Sequence, residues 1–324
     1  SPSEMAIILK HVPRTEARAA ITSLAASVSL LILKFSAYFL TNSSVIFSDA
    51  LDSIANVAAA AFALYSLDLA HRPADRDHPY GHGKIEFLSA GFEGSMVLTA
   101  ALVAVGRAVD GMIHNADLHH DHLRLGLFLL AVALMVNGSV GVGLLRLGRR
   151  VQSATLEADG EHLLSDAIIS VAAIAGLLVV QVTNWNYADP IAGLLVAIYI
   201  GYMGIKLMRG AVAGLMDQQD AKDEKLLRGI LDSHVGISGA DPQICSYHKL
   251  RHRHNGRYHW VDFHVVVPAH WDVKRGHEVA SKIEYEIEKA LTIGNATAHI
   301  EPCQDEPCDS CAAAPKNTGT GESS

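Results

Sequence analysis

The chain has 324 residues, of which 50% are hydrophobic, with a mean hydropathy of +0.21 and a formal net charge of −8. This composition is too apolar for a typical soluble enzyme, and the acidic balance argues against a nucleic-acid partner, because such partners are bound by dense basic faces. The sequence also has no glycine-rich phosphate loop and no nucleophile elbow.

Apolar residues are concentrated in the first two thirds of the chain, in stretches long enough to cross a membrane. The six stretches cover residues 17–40, 44–70, 85–113, 123–147, 161–181 and 189–214. A spanning helix needs about 20 residues. Six spans place both ends of the bundle on one side. The basic residues that flank the spans on that side are Lys10, Arg14, Arg18, Arg72, Arg76, Lys84, Arg146, Arg149, Arg150, Lys206 and Arg209. The positive-inside rule therefore predicts a multi-pass protein of the cytoplasmic (inner) membrane with both termini in the cytoplasm.

Polar side chains interrupt two of these stretches. Asp49, Asp52 and Asn56 share one face of the second stretch, and His162 and Asp166 are one turn apart in the fifth. An aspartate at bilayer depth costs about 2.5 to 3.5 kcal/mol, so it needs a partner, water or an ion. Facing each other, the two sets would surround a cation, and the imidazole favours Zn, Co, Ni or Fe. The alternative is a set of hydrogen bonds that joins helices in a bundle.

The turn after the second stretch reads HRPADRDHPYGHGKIEF. The spacing of Asp75, His78 and His82 allows a short loop and the next helix to close on one metal ion, and Gly81 and Gly83 permit a tight backbone. The alternative is a solvated polar loop.

From residue 217 the chain becomes polar and predicts a small α+β domain. The pattern indicates a helix from residue 221, strands at 247–253 and 258–267, a helix at 273–290 and a strand at 296–301. In the second strand the valines and Phe263 alternate toward a core, which leaves Trp260, Asp262 and His264 on the other face.

All four cysteines lie in this second part of the chain: Cys245, Cys303, Cys308 and Cys311. Disulfides would be unusual on the cytoplasmic side, where thiols stay reduced. The last three cysteines follow residues 299–301 closely, which allows either a soft thiolate metal site or reduced thiols on a flexible tail.

The segment HPYGHGKIE resembles the signature that follows the second helix in the cation diffusion facilitator family, the proton-coupled exporters of Zn, Fe, Mn, Co or Ni. The similarity extends over nearly the whole chain: six spans, this loop, the HxxxD of the fifth span and a histidine-bearing cytoplasmic domain. It implies a six-helix bundle followed by a ferredoxin-like α+β domain, in a homodimer embedded in a lipid bilayer.

The resemblance implies three sets of metal ligands. The transport site falls on Asp52, Asn56, His162 and Asp166. The loop site falls on Asp75, His78 and His82. The cytoplasmic-domain site falls on His248, His264, His277, His299 and Glu301. Lys84 resembles a lysine that pairs with an acid below the sixth helix, here Asp217.

Position 56 departs from the family pattern, because better-known zinc and iron members have Asp or His there. A neutral amide leaves the charge of the transport site to Asp52 and Asp166, so the loaded site would be near neutral. This departure bears on the choice of metal, and Asp49, one turn earlier, could compensate for the missing charge.

These observations predict a secondary transporter, not an enzyme, that exports a divalent transition metal in exchange for protons. Zinc is the first expectation, iron, cobalt, nickel, manganese and cadmium are alternatives, and no organic cofactor or nucleic acid is expected. We assign residues 1–16 to a cytoplasmic tail, 17–216 to the transport domain, 217–302 to a metal-binding and dimerisation domain and 303–324 to a cysteine-containing flexible tail.

Two other functions are compatible with parts of this pattern. A membrane metalloenzyme would need an open coordination position beside a general base and a substrate cleft, and we expect no spare Glu or His to stand next to the His162–Asp166 pair. A non-transporting metal sensor, or a partner subunit of another exporter, is compatible with the departure at Asn56.

Overall fold

The computed structural model describes residues 12–41, 44–114, 123–183, 188–236, 241–291 and 293–304. The chain divides into two compact units, Ser1–Leu215 and Met216–Ser324.

The described residues of the first unit form long α-helices. They are α1 (Arg14–Thr41), α2 (Ser44–Ala70), α3 (Ile85–His114), α4 (Leu123–Val151), α5 (Ala154–Thr183) and α6 (Ala188–Leu215). Within the described part of the chain, three helical segments are long and apolar enough to cross a membrane: Arg14–Leu33, Ile85–Ile113 and Ala131–Val151. The shorter apolar segment Asn56–Ala70 belongs to α2.

In the helical unit, small residues occupy the interior and large apolar side chains lie on the exterior. Its buried residues include many alanines, whereas Leu102, Ile113 and Met135 are exposed. A Cβ added to Gly160 of α5 would lie 2.7 Å from the Leu145 nitrogen of α4, so a glycine is required for this close approach. Close backbone packing combined with large apolar side chains on the outside suits a lipid solvent.

Helix α5 begins at Ala154, about two turns before the apolar stretch that starts at residue 161. The Ser153 hydroxyl accepts a hydrogen bond from the Leu156 amide at 3.4 Å and donates one to the buried Glu86 carboxylate at 2.6 Å. The first turns of α5 are helical because they are capped and packed against α3, although their residues are too polar to be included in a hydropathy span.

The second unit is a three-stranded sheet with two helices. Its elements are α7 (Ala221–Ser233), β1 (Ser246–Asn255), β2 (Tyr258–Val267), α8 (Val273–Ala290) and β3 (Gly294–Pro302). The strand order is β1-β2-β3, with β1 antiparallel and β3 parallel to β2. Residues on one face of β2 pack with α7 and α8 in the core. The predicted class, a mainly helical protein followed by a small α+β domain, is confirmed.

The alternation predicted for β2 is also observed. Val261, Phe263, Val265 and Val267 are buried, while Asp262 is exposed. The expectation against disulfides is wrong for Cys245, which is buried and disulfide-bonded, and Cys303 is a free thiol. Cys308 and Cys311 lie outside the described residues.

Candidate metal-binding sites

Three of the residues predicted for the transport site lie together between α2 and α5. The Asn56 amide donates from Nδ2 to Asp166 Oδ2 at 2.7 Å, and its Oδ1 lies 3.1 Å from His162 Nε2. His162 Nε2 and Asp166 Oδ2 are 4.0 Å apart. One amide, one imidazole and one carboxylate therefore converge here. We call these three residues, Asn56, His162 and Asp166, the helix cluster.

The side chains of Asp49 and Asp52 lie outside the described residues. The backbone of α2 places position 52 one turn before Asn56, on the same helical face. Their roles as ligands remain predictions.

Glu93 of α3 is a member of this neighbourhood that sequence reasoning missed. Its Oε2 lies 3.7 Å from His162 Nδ1, and the residue is fully buried. Asp159, one turn before His162 on α5, is buried as well. An acid in the middle of an apolar stretch is the signal that would have found Glu93, since the same reasoning singled out Asp166.

The statement that no spare Glu stands next to the His162–Asp166 pair is therefore wrong, because Glu93 folds against it from another helix. Glu93 faces Nδ1, however, while Asn56 and Asp166 face Nε2. The carboxylate thus lies behind the imidazole and can orient it, as outer-shell acids do for metal-ligating histidines.

Asn56 Oδ1 lies within hydrogen-bond distance of His162 Nε2, whereas Glu93 Oε2 on the Nδ1 side is 3.7 Å away, beyond hydrogen-bond distance. Asn56 Oδ1 is an acceptor because Nδ2 of the same amide donates to Asp166. A proton on Nε2 satisfies that acceptor, and a metal ion bound at Nε2 would have to replace the proton.

The loop residues predicted as a second site are also brought together. Asp75 Oδ1 lies 3.2 Å from His78 Nδ1, and Asp75 Oδ2 lies 3.4 Å from His82 Nε2. Gly81 has φ of 79°, a conformation that favours glycine and allows the loop to turn back toward His82. The backbone amide of His78 donates to the Asp75 carboxylate and lowers its pKa, which keeps this ligand ionised.

The predicted charge pair of Lys84 and Asp217 remains a prediction. Within the first unit, Lys84 Nζ donates to the Leu215 carbonyl at 3.4 Å. Within the second unit, Asp217 Oδ2 lies 3.7 Å from the Arg253 guanidinium.

In the second unit, four of the five predicted residues form a group on one face of the sheet, which we call the sheet cluster. Glu301 is its centre: Oε1 accepts from His264 Nδ1 at 2.7 Å, and Oε2 lies 3.2 Å from His248 Nε2. His299 Nε2 is 3.8 Å from Oε1. The hydrogen bond from His264 holds the pKa of Glu301 below its ordinary value.

The fifth predicted residue, His277, is exposed on α8. Among the described residues of one chain it belongs to none of the groups whose ligand atoms lie close enough to share an ion. Its role stays a prediction.

Two family models match the chain. The model described as the cation efflux transmembrane domain matches residues 20–216, and the one described as the cytoplasmic domain of cation efflux proteins matches residues 233–303. The matches cover the helix cluster and loop residues in the first case and the sheet cluster in the second.

Curated proteins align over most of their length. An uncharacterized transporter of Synechocystis is 36% identical over 88% of this chain and 90% of its own. The cation-efflux pump FieF of Salmonella arizonae is 28% identical over 91% of this chain and 95% of its own, and that of Shewanella oneidensis is 25% identical over 88% and 93%. With both family models matched in order and a full-length relative above 30% identity, this chain belongs to the cation diffusion facilitator family of membrane-embedded cation-efflux transporters.

Proposed function

We propose that this protein exports a divalent transition metal from the cytoplasm in exchange for protons. The observation that carries the proposal is the helix cluster, in which His162, Asn56 and Asp166 converge inside a helical unit with an apolar exterior. Buried polar groups are retained in such a setting when they bind something, and a nitrogen and oxygen donor set fits a first-row divalent ion.

The same contacts support the proposed exchange with protons. The ion needs the Nε2 lone pair of His162 and the charge of Asp166, which the metal-free arrangement commits to hydrogen bonds. Loading on the metal-rich side therefore releases protons, and protons arriving from the other side displace the ion. Glu93 supports this exchange from the Nδ1 side of His162, where a carboxylate 3.7 Å away favours the ring orientation that directs Nε2 at Asn56 and Asp166.

Alternating access is proposed to come from rocking of the helices that carry the helix cluster about a fixed homodimer. The C-terminal domain is proposed to sense metal in the cytoplasm. Its sheet cluster has three imidazoles around one carboxylate on a partly open face, and the matching family model is a dimerisation domain. An ion shared with a second copy would draw the two domains together, and His277 is a candidate ligand from that copy.

Zinc is the proposed cargo, with iron next. The cation-efflux pumps named above support a divalent metal cargo at family level. An imidazole with carboxylate oxygen suits zinc, and an amide in place of an acid at position 56 reduces the charge that a harder ion would favour. Asn56 is therefore proposed as a determinant of metal choice.

A hydrolytic metalloenzyme is less well supported, because Glu93 contacts the side of His162 opposite to Asp166 and so lies away from the position of a metal-bound water. A sensor that binds metal without moving it remains the second candidate, since the amide at position 56 weakens the charge of the site.

The test is flux in both directions by the purified protein in proteoliposomes. An imposed Zn²⁺ gradient should move protons, detected by a pH dye in the lumen, and an imposed pH gradient should move Zn²⁺, detected by a metal dye. Protein-free vesicles and His162→Ala vesicles are the controls. Zn²⁺ flux that leaves the pH unchanged would contradict exchange, and tight Zn²⁺ binding with no flux would favour the sensor.

A further inference from the structure

A second group of imidazoles lies at the end of the β1–β2 hairpin, outside the sheet cluster. His254 and His259 are directly opposite each other across the two strands, and their ring centroids are 4.1 Å apart. Asp223, in the first turn of α7, places Oδ2 2.9 Å from His254 Nε2 and 3.8 Å from His259 Nδ1. His259 belongs to the core-facing residues of β2, so this group and the sheet cluster lie on opposite faces of the sheet.

We propose that Asp223, His254 and His259 bind a divalent transition-metal ion of the Zn²⁺ type, at a site separate from the helix, loop and sheet ligands. A tetrahedral Zn²⁺ site with bonds of about 2.0 to 2.1 Å places its ligand atoms about 3.3 Å apart. The two separations measured from Asp223 Oδ2, 2.9 and 3.8 Å, lie on either side of that value.

The three ligand atoms of this hairpin site also lie within 4.8 Å of one another. Small side-chain rotations therefore suffice to form it, and water would supply the fourth ligand. The inference stands on these contacts and does not depend on whether the helix cluster transports metal.

His252 gives the site an outer partner. Its Nδ1 lies 3.0 Å from His259 Nε2 on the side of the His259 ring that faces away from Asp223. When His259 donates its Nε2 proton to His252, the lone pair of His259 is on Nδ1 and faces Asp223 and His254. Histidines that bind metals are oriented in this way by an acceptor at the other nitrogen.

The burial of these imidazole rings is a second observation that bears on the site. His252 is 4% exposed, and its Nε2 has no hydrogen-bond partner in the part of the chain that the structure describes. A buried ring nitrogen without a partner is destabilising, because it has lost its hydrogen bond to water. Three imidazoles are thus packed together beside Asp223, with Asp220 and Glu224 nearby, and an ion bound by Asp223, His254 and His259 would hold two of these rings in place.

The electrostatic surroundings favour the neutral ring that a metal requires. Burial, with a contribution from the nearby His254, lowers the pKa of His259 to about 4. Asp223 and His254 are partly exposed, so an ion can reach the site from solvent.

The position of Asp223 gives the site a consequence for the protein. Helix α7 begins at Ala221, and only a short connecting segment separates it in sequence from the end of α6 at Leu215. An ion at the hairpin would fasten the start of α7 to β1 and β2. Metal occupancy would thereby fix the element that directly follows the last helix of the transmembrane domain.

The first experiment uses the wild-type full-length protein in detergent. Diethyl pyrocarbonate modifies accessible neutral imidazoles, and peptide mass spectrometry reports the extent at each histidine. Zn²⁺ should protect His254 several-fold relative to protein treated with EDTA, while the exposed His270 should label equally in both. Equal labelling of His254 with and without Zn²⁺ would overturn the proposal.

The second experiment counts ions. Asp223→Asn and His254→Gln each remove one ligand, and Asp223→Asn retains an oxygen that can accept from His254. Glu224→Gln is the matched control, because Glu224 is the next residue of α7 and pairs with Arg228. After loading with Zn²⁺ and desalting, both site variants should hold one ion fewer per chain than wild type, and the control should hold the same number.

A purely structural hydrogen-bonded cluster predicts a different pattern. In that case Asp223→Asn would lower the thermal stability in EDTA but leave the Zn²⁺ content and the visible spectrum of bound Co²⁺ unchanged, which would refute the site. If the variants fail to fold, the wild-type labelling experiment decides.

Discussion

The helix cluster and the sheet cluster use the same kinds of donor in opposite surroundings. In the helix cluster the side chains of His162 and Asp166 are 6% and 21% exposed, whereas in the sheet cluster those of His248 and Glu301 are 42% and 31% exposed. Water can replace a lost ligand in the sheet cluster but scarcely in the helix cluster. Burial therefore makes the helix cluster depend on each of its members, and exposure makes the sheet cluster tolerant.

This difference also separates the proposed tasks. An ion that enters a buried site must replace the groups that already satisfy one another there, which links metal movement to proton movement. An ion at an exposed site competes mainly with water and with protons in the same solution, so occupancy follows the local metal concentration. The buried site is suited to coupling, and the exposed site is suited to sensing.

The largest effect is expected for Asp166→Asn in the helix cluster. The substituted side chain keeps its shape but loses the negative charge that balances the bound ion. Because Asn56 donates to position 166, the new amide must direct its oxygen, not its nitrogen, toward Asn56. Zn²⁺ flux should fall by more than the roughly 10- to 100-fold that loss of an outer-shell partner causes. Proteoliposome flux measures it, and near wild-type flux would contradict the assignment of Asp166.

A smaller loss is expected for Glu93→Gln. Because Glu93 acts through His162 Nδ1, its loss should reduce flux by about 10- to 100-fold and shift the pH at which flux is half-maximal. Glu86→Gln is the control, since Glu86 is another buried acid of α3 and accepts from Ser153. If Glu93→Gln and Glu86→Gln lowered flux equally and neither shifted the pH profile, the role of Glu93 would be structural only.

Sequence reasoning reached the parts of these sites that are local along the chain. His162 and Asp166 are one helical turn apart, and Asp75, His78 and His82 lie in one loop, so spacing alone predicted their proximity. The polar side chains that interrupt the second and fifth apolar stretches predicted that Asn56 faces them, and the family resemblance implied the same. Strand alternation likewise predicted the buried face of β2.

The residues that were missed depend on contacts between distant elements. Glu93 reaches His162 only because α3 packs against α5, and spacing within either helix carries no information on that contact. His254 and His259 face each other because of the register of the β1–β2 hairpin, and Asp223 joins them from a helix about 30 residues earlier. The start of α5 was placed too late because hydropathy measures transfer to lipid, not the capping that begins a helix.

A change of metal preference is expected for Asn56→Asp. The introduced carboxylate would face Asp166, to which the native amide donates, so the two acids would repel each other unless a proton or an ion lies between them. Metal binding should become about 10-fold tighter and more dependent on pH. Because carboxylates suit Mn²⁺ and Fe²⁺ better than an amide does, their flux relative to Zn²⁺ should rise. Parallel flux assays with Zn, Fe, Co, Ni, Cd and Mn provide the measurement, and an unchanged order of metals would show that Asn56 does not select.

The smallest effect on transport is expected for Glu301→Gln, which makes the same carboxylate-to-amide change in the sheet cluster. Metal content of the C-terminal domain should fall, but flux at saturating Zn²⁺ should fall only a few-fold, because Glu301 is not among the residues proposed to carry the transported ion. The hydrogen bond from His264 lowers the pKa of Glu301, so Glu301 stays ionised as the pH falls from 7 to 5. Its charge thus contributes no pH dependence of Zn²⁺ binding in that window. Wild type and Glu301→Gln should therefore lose bound Zn²⁺ along parallel pH profiles, with Zn²⁺ binding by the variant weaker at every pH.

The flux measurement also tests the comparison between the two clusters. If Glu301→Gln abolished Zn²⁺ flux as Asp166→Asn is expected to do, the exposed sheet cluster would be no more tolerant than the buried helix cluster, and the assignment of sensing to one and coupling to the other would be contradicted.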